Sequence, residues 1–409
     1  HLRIDLQMNN KDKRRIAKTV DEMHESLKLA GFKENELNEL TQVLYMTPGS
    51  RRGQPIKLLE LDDHLLATIN KGDTLKFQGN KRDSVVLCTK NRTYDIKEAE
   101  TSNACLLVPN LKFSEQTKKD TRDCIIEEHV VSGIFHTYYE VRECKPKLEK
   151  LLDVLEPSSF KGPRYESTID SEILYDWNRL QSEVQASEDE LRQALNDYFV
   201  VNIDGYYRLV SFEYDVQSLT HMLDFFEENS WEIDEVDKEL TYETLCELIS
   251  PPVFEVLFSK YTKPSDKSKP DGTPLYRYNE EKCCKSLAKV LLSASAVTEF
   301  KQFMESWGIG TPEKMEPKEE YLSGIALVKY NSSTLQKEVI SFPEADLPKN
   351  INERFNELFK AKDKWLVHEI TPYISNLTTN KMDVNALLTK YARCSLVSNI
   401  KCYSSKHGK

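Results

Sequence analysis

Short segments rich in β-branched and aromatic residues crowd positions 41 to 145, and the chain then turns helical and repeats the order helix, helix, hairpin. These two patterns predict an α+β protein: an N-terminal β-barrel-like domain followed by three tandem winged-helix domains. Charge supplies a third observation. The 409 residues carry a net charge of −11, yet Ser211 to Val256 holds thirteen acidic residues against one lysine, and Ile351 to Lys409 holds ten basic against five acidic. A phosphate backbone is repelled by the first block and attracted by the second, so nucleic-acid contact is expected at the C-terminal end alone. The acidic block is expected to face protein or solvent.

The length exceeds what one hydrophobic core supports, and two to four domains follow. The boundaries read as an N-terminal arm at 1–40, a β-rich assembly domain at 41–145, and helical domains at 146–239, 240–346 and 347–409. No apolar run approaches the roughly 18 to 20 residues of a bilayer span, so no membrane partner is expected. The basic start is not followed by a continuous apolar segment, which argues against a signal peptide. Nine cysteines, with no C-x-x-C pair, indicate neither a disulfide framework nor a zinc site. They read as reduced thiols of the cytosol or nucleus.

Taken in order, Ile16, Val20, Met23 and Leu27 recur at helical spacing, so the arm is read either as a helix or as a partly disordered segment. The segments QVLYM, IKLLEL, TLKFQ, SVVLCT, RTYDIKEA, ACLLV and CIIEEHVVSGIFHTYYEV then read as strands separated by turns such as NKGD, QGNKRD and TSN. Doubly apolar runs such as Val85, Val86 and Leu87 fit a barrel completed by other chains, or a strand buried on both faces within this one. Ile173 to Gln185 is a predicted helix. Ser187 caps the next one, whose buried face is Leu191, Leu195 and Tyr198, and Asp204-Gly205 is the favoured two-residue hairpin turn. The order recurs with helices at Leu240 to Tyr261, interrupted at Pro251, at Glu280 to Ser293 and at Val297 to Trp307, then a hairpin around Asn331. YTKPSDKSKPDGTP, from Tyr261 to Pro274, reads as a loop. A third pass starts with Ile351 to Phe359 and a short helix from Trp365 that is expected to stop or kink before Pro372.

The last segment carries the strongest local signal. Asp383 caps a helix whose Val384, Leu387, Leu388 and Tyr391 share one face, with Lys390 and Arg393 on the other. The helix is expected to end near Ser395, with a strand from Asn399 to Tyr403 behind it. No acidic residue follows Asp383, so Lys381, Lys390, Arg393, Lys401, Lys406 and Lys409 form a candidate DNA-binding set. Spacing alone fits a solvated helix face and basic tail equally well. Lys145, Lys147, Lys150, Lys161 and Arg164 are a secondary set for DNA or an acidic protein surface. The turn Asn80-Lys81-Arg82 is weaker still.

Catalytic chemistry finds no support. GIGTPEK at 308–314 lacks the spacing of a phosphate-binding loop, His129 with His136 and Cys283 with Cys284 lack a third ligand, and no nucleophile elbow occurs. The reading is a non-enzyme without cofactor or metal.

The collinear segments VVLCTK with RTYDIKEAETSN, VQASEDELRQAL with IDGYYRLV, GIALV, RFNELF with Trp365, ITPYISNL and NALLTKY resemble the "defective in sister chromatid cohesion" protein one family. The similarity runs from about Leu58 to Tyr403. It implies a nuclear, non-catalytic subunit of the alternative, replication-factor-C-like clamp loader of the sliding clamp PCNA, acting in DNA replication and cohesion. It further implies a β-rich N-terminus that joins the loader's large and small accessory subunits, and winged helices that bind DNA, single or double stranded, and the catalytic subunit of DNA polymerase epsilon. PCNA is then an indirect partner. The competing expectation is a free-standing winged-helix transcription regulator, which would strongly prefer one DNA sequence.

Overall fold

The computed structural model describes residues 25, 28–31, 41–46, 56–81, 83–113, 126–379, 382–397 and 400–406. The arm, apart from Glu25 and Lys28 to Gly31, lies outside them. The chain divides into two compact units, His1–Glu60 with Lys97–Glu140, and Leu61–Ile96 with Val141–Lys409. The described residues hold 13 α-helices and several small sheets, a mixed α and β architecture.

In the first unit β1 (Thr41–Met46) pairs in parallel with β5 (Ile126–Val131), in register from Thr41 opposite Ile126 to Met46 opposite Val131. Leu59 bridges Tyr139, with the Tyr139 amide donating to the Leu58 carbonyl at 2.8 Å and the Glu60 amide to the Tyr139 carbonyl at 2.8 Å. The remaining β-rich sheet has the order β2-β3-β4-β6, where β2 is Lys76–Gln78, β3 Val86–Cys88, β4 Thr93–Leu107 and β6 Gly133–Cys144. These sheets are open, and the expected barrel does not close among the described residues. Other boundaries also move. IKLLEL gives one bridge and then helix α1 (Asp63–Asn70), capped by the Asp62 carboxylate on the Leu65 amide. TSN is no turn, because β4 runs through it. A long strand with ladder partners satisfies its backbone without turning, whatever the local turn propensity of Ser and Asn.

The helical part repeats one order four times, one more than the sequence reading: helix, short strand, two helices, hairpin, with the short strand on the second hairpin strand. In the first repeat these are α2 (Glu149–Leu155), Tyr175, α4 (Trp177–Glu183), α5 (Glu188–Asp197), β7 (Val201–Ile203) and β8 (Tyr206–Arg208), with the short α3 (Pro163–Glu166) inserted before Tyr175. Tyr175 bridges Tyr207. The second uses α6 (Phe212–Glu228), Val236, α7 (Lys238–Leu245), α8 (Pro251–Tyr261), β9 (Thr262–Ser268) and β10 (Pro274–Tyr278), and Val236 bridges Tyr276. The third uses α9 (Glu280–Ala294), β11 (Val297–Glu299), α10 (Phe300–Ile309), a 3-10 turn at Glu319–Leu322, β12 (Ala326–Asn331) and β13 (Gln336–Ser341), with sheet order β11-β13-β12. The fourth uses α11 (Ile351–Ala361), β14 (Trp365–Leu366), α12 (Val367–Ile374), α13 (Val384–Tyr391), β15 (Ala392–Val397) and β16 (Ile400–Ser405), with the matching order β14-β16-β15.

The extra repeat arises because Tyr261 to Pro274 is a hairpin and not a loop. Its Pro and Asp content suppresses strand propensity, but Lys267 pairs with Asp234 and Glu235 at 3.0 and 2.8 Å and so ties the strand to the acidic segment before α7. Where the sequence signals are strong, the local structure follows them. Ser187 and Glu190 form a capping box on α5, and Asp204 and Gly205 take positive φ values of 51° and 91° in the β7–β8 turn.

Packing joins the repeats. The second and third share one core through Phe226, Phe254, Phe258, Tyr278, Phe303 and Trp307, the first has its own around Leu151, Leu180, Leu191 and Leu195, and the fourth packs on Phe355, Trp365, Ile370, Leu387 and Leu388. Leu327 of the third repeat enters the fourth core, and the Tyr373 hydroxyl donates to the Ala326 carbonyl at 3.3 Å. Pro372 lies inside α12, which continues to Ile374.

Glu369 caps the start of α12 and ties it to the helix before. Burial pushes its carboxyl up, but the Leu366 amide at 2.9 Å and the Lys362 ammonium at 2.7 Å outweigh burial and hold it below the usual carboxylate range. A depressed folded-state pKa contributes stability above the unfolded value of about 4.3, and that contribution is lost as pH falls through the folded value. Glu369→Gln is expected to lower Tm at about pH 7, with the difference from wild type shrinking towards about pH 3 in paired thermal melts. An equal Tm difference at both pH values would contradict this role.

Candidate nucleic-acid interface

The fourth repeat ends in a cationic hairpin. The α13 helix stops at Tyr391, four residues earlier than its sequence suggests, because Ala392 passes directly into β15 and pairs with Ser405. Arg393 is therefore a strand residue, not a helix residue. Antiparallel partners share a face, so the register from Trp365 to Tyr403 to Cys394 defines the side on which Trp365 enters the core. Arg393, opposite Ser404, lies on the other side. Lys401 pairs with Leu396 and belongs to the Trp365 side, towards the exposed tip formed by Leu396 and Ile400. The predicted set is thus split between two faces.

Lys390 is exposed in the last turn of α13, with its ammonium 5.2 Å over the Tyr391 ring. Lys406 donates to the Lys390 carbonyl at 2.7 Å, which fixes the strand end against the helix end. Tyr391 packs on Phe355 with ring centroids 5.4 Å apart, so its ring belongs to the core as its helical face implies. Among the described residues no carboxylate lies within ion-pair distance of Lys390, Arg393, Lys401 or Lys406. Lys381 and Lys409 lie outside the described residues.

One cation was missed by sequence reading. Lys364 precedes β14, is exposed and without an ion pair among the described residues, and the register carries it opposite Ser404, on the side of Arg393 and one strand further across the sheet. Its signal was the lysine run at 360, 362 and 364, of which Lys360 pairs with Glu357 and Lys362 with Glu369. Arg354, counted among the basic residues of this end, is only 3% exposed and serves the core.

The secondary set is largely used within the fold. Lys150 pairs with Glu183 and Asp83 at 3.3 and 3.4 Å, Lys147 donates to Ser84 at 2.7 Å, and Lys145 donates to Thr378 at 2.8 Å. Lys161 and Arg164 remain exposed. In the turn at 80–82, Asn80 donates to Glu183 at 3.0 Å, and Arg82 lies outside the described residues.

A groove of about 780 Å³ separates the third and fourth repeats. Leu322, Ala326, Leu327 and Trp365 give it an apolar floor, and Lys318, Glu320, His368 and Glu369 a charged rim. Metal-ligating clusters are absent among the described residues, and no described helix is long and apolar enough to cross a membrane. Burial pushes the Cys88 thiol up to about 11 and the Cys284 thiol up to about 12, so neither offers a reactive thiolate.

A repeated helix, strand and hairpin unit that closes on a cationic hairpin defines a modular α and β protein with a basic C-terminal end. The family model described as "Sister chromatid cohesion protein Dcc1" matches residues 56–374, and the chain belongs to that family. It is similar to "Sister chromatid cohesion protein DCC1" of Xenopus laevis, 32% identical over 392 residues that cover 96% of this chain and 99% of the relative. The protein of the same name from Homo sapiens is 32% identical over 395 residues, covering 96% and 99%. A more distant relative, "Probable sister chromatid cohesion protein DCC1" of Dictyostelium discoideum, is 25% identical over 358 residues, covering 82% and 90%.

Proposed function

We propose that this cohesion protein is a non-catalytic, nuclear scaffold subunit of an alternative PCNA clamp loader, and that its four helix, strand and hairpin repeats are winged helices. The observation that carries the reading is the recurrence of one sheet order in successive repeats, ending in a hairpin whose cations lack carboxylate partners among the described residues. An unneutralised cationic hairpin on a small apolar core suits electrostatic, weakly sequence-dependent contact with DNA. The apolar floor and charged rim of the groove between the last two repeats suit docking of a protein segment, here assigned to the catalytic subunit of DNA polymerase epsilon.

Assembly with the loader's large and small accessory subunits is assigned to the β-rich region. On β1 and β5 the side chains of Leu44, Tyr45, Met46 and Val130 are exposed, an unusual use of large apolar residues on paired strands unless a partner covers them. Size-exclusion chromatography of the chain with the two accessory subunits tests this. Co-elution is expected, and Tyr45→Asp with Val130→Asp is expected to abolish it while leaving the melting of the helical part unchanged. Co-elution unaffected by the double substitution would move the interface elsewhere.

A further inference from the structure

The first three repeats bring together a second cationic cluster, far in sequence from the C-terminal hairpin. Lys282, Lys285 and Lys289 follow one another at i, i+3 and i+7 on α9 and so share a stripe of that helix. Lys260, in the last turn of α8, joins them. The Lys282 and Lys260 ammoniums lie 4.9 and 5.9 Å from the centroid of one ring, that of Phe199. Phe199 is supplied by the first repeat and holds φ at 53°, a left-handed backbone that is costly for a bulky residue. The Phe199 amide donates to the Asn196 carbonyl at 3.0 Å and the Val200 amide to the Leu195 carbonyl at 2.8 Å, so this left-handed residue ends α5 and sets the ring where two lysines approach it.

Neutralisation is incomplete. Asp215, 7% exposed, pairs with Lys260 at 2.5 Å and also accepts from the buried Tyr261 hydroxyl at 3.0 Å, while that hydroxyl lies 3.0 Å from Ser286. Lys285 donates to the Ser323 carbonyl at 2.6 Å, and Glu281, one turn back on α9, is the carboxylate that acts on it. Lys289 has neither a hydrogen bond nor an ion pair among the described residues. Four ammoniums thus face two carboxylates. Burial lowers the pKa of both Lys285 and Lys289, and repulsion from Lys260 and Lys285 lowers that of Lys289 further, although its side chain retains solvent access. Lys260 and Lys282 meet at the Phe199 ring, Lys285 and Lys289 continue their stripe along α9, and this excess of cations over carboxylates suits an anion.

The geometry selects the kind of anion. Convergence on one ring suits a compact dianion, because an extended backbone presents single charges along a line. Glu280, Glu281 and Asp197 flank these residues in sequence and would repel a long polyanion more than a single phosphoryl group. We propose that Lys260, Lys282, Lys285 and Lys289 form a binding site for a phosphomonoester dianion, as carried by a phosphoserine or phosphothreonine side chain of a partner protein. Phosphorylation of that partner would then create a contact which the unmodified side chain lacks.

The probe is a fluorescein-labelled peptide with one phosphoserine between glycines, titrated by anisotropy into the full chain, with its unphosphorylated twin and a 5′-hydroxyl duplex DNA in parallel. The phosphopeptide is expected to bind, inorganic phosphate to compete, and the twin not to bind. Lys285→Gln with Lys289→Gln is expected to weaken the phosphopeptide on the order of tenfold or more while leaving duplex affinity unchanged. Lys282→Gln alone, at an exposed position, is expected to weaken it less and gives a reading should the double variant melt early. Two results would overturn the proposal: phosphopeptide affinity equal for the wild type and both variants, or no phosphopeptide binding while the variants lose duplex affinity, which would give the cluster to nucleic acid. Lys390→Glu with Arg393→Glu leaves the phosphopeptide signal intact in either case, so this test stands apart from that of the DNA-facing hairpin.

Discussion

Lys390→Glu with Arg393→Glu is expected to weaken binding of random duplex DNA on the order of tenfold or more at about 0.1 M salt, and equally for unrelated sequences. Each residue lacks a carboxylate partner among the described residues, so neither substitution breaks an internal ion pair. Both are also exposed, and although Lys390→Glu removes the cation over the Tyr391 ring, the stacking of Tyr391 on Phe355 and the Trp365 core do not involve either side chain. If both cations sit on phosphates, the slope of log affinity against log salt shrinks by about 1.8 in fluorescence-anisotropy titrations. Lys401→Glu is an internal control, because its register places it on the other face of the sheet, where it is expected to have the smaller effect. A Lys401→Glu loss matching that of the double variant would place DNA at the hairpin tip and not on the Arg393 side.

The largest stability effect is expected at Arg354. Its guanidinium, almost fully buried, donates to the carbonyls of Pro348 at 2.7 Å, Tyr373 at 2.9 Å and Leu347 at 3.1 Å, to Asn376 at 3.1 Å and to Glu344 at 2.6 Å. This one side chain ties the start of the fourth repeat to the end of α12. Arg354→Ala leaves three carbonyls without this donor and the Glu344 carboxylate with only the Asn376 amide at 2.6 Å, and a loss of about 3–5 kcal/mol is expected by urea denaturation. Glu344→Ala should cost less, since the guanidinium keeps its other four acceptors and Glu344 is itself partly exposed. Arg354→Lys is not expected to rescue, because an ammonium cannot reach acceptors spread around a planar fork. Equal losses for Arg354→Ala and Glu344→Ala would mean that the ion pair alone, not the carbonyl network, carries the effect.

Sequence reading succeeded where one local signal had no competitor. The capping box at Ser187, the Asp204-Gly205 turn and the i, i+3, i+4 face of Leu387 and Leu388 all stand as their chemistry dictates. It failed where pairing overrode propensity. Tyr261 to Pro274 looks like a loop by composition and is a hairpin, and TSN looks like a turn and lies within a 15-residue strand. The long strand depends on a ladder with β6, and the hairpin pairs with its own neighbouring strand and is tied down by the Lys267 ion pairs to Asp234 and Glu235, contacts that local composition does not reveal. The cationic site was legible as a set of residues but not as a surface. Arg354 looked like surface charge and is buried, Lys401 falls on the opposite face from Arg393, and Lys364 joins through a strand pairing. The lysine cluster around Phe199 was written in α9 as a single stripe, but its partners Lys260 and Phe199 come from two other repeats.

The scaffold role proposed above requires this chain to work within a clamp-loading assembly and not alone on DNA. Affinity capture of the full chain from nuclear extract, with mass spectrometry of the bound proteins, tests it most directly. Recovery of the loader's large and small accessory subunits, with polymerase epsilon in lower amount, is the predicted result. A folded, DNA-binding chain that recovers no loader subunit and strongly prefers one DNA sequence would instead be a free-standing regulator, contrary to the proposed scaffold role.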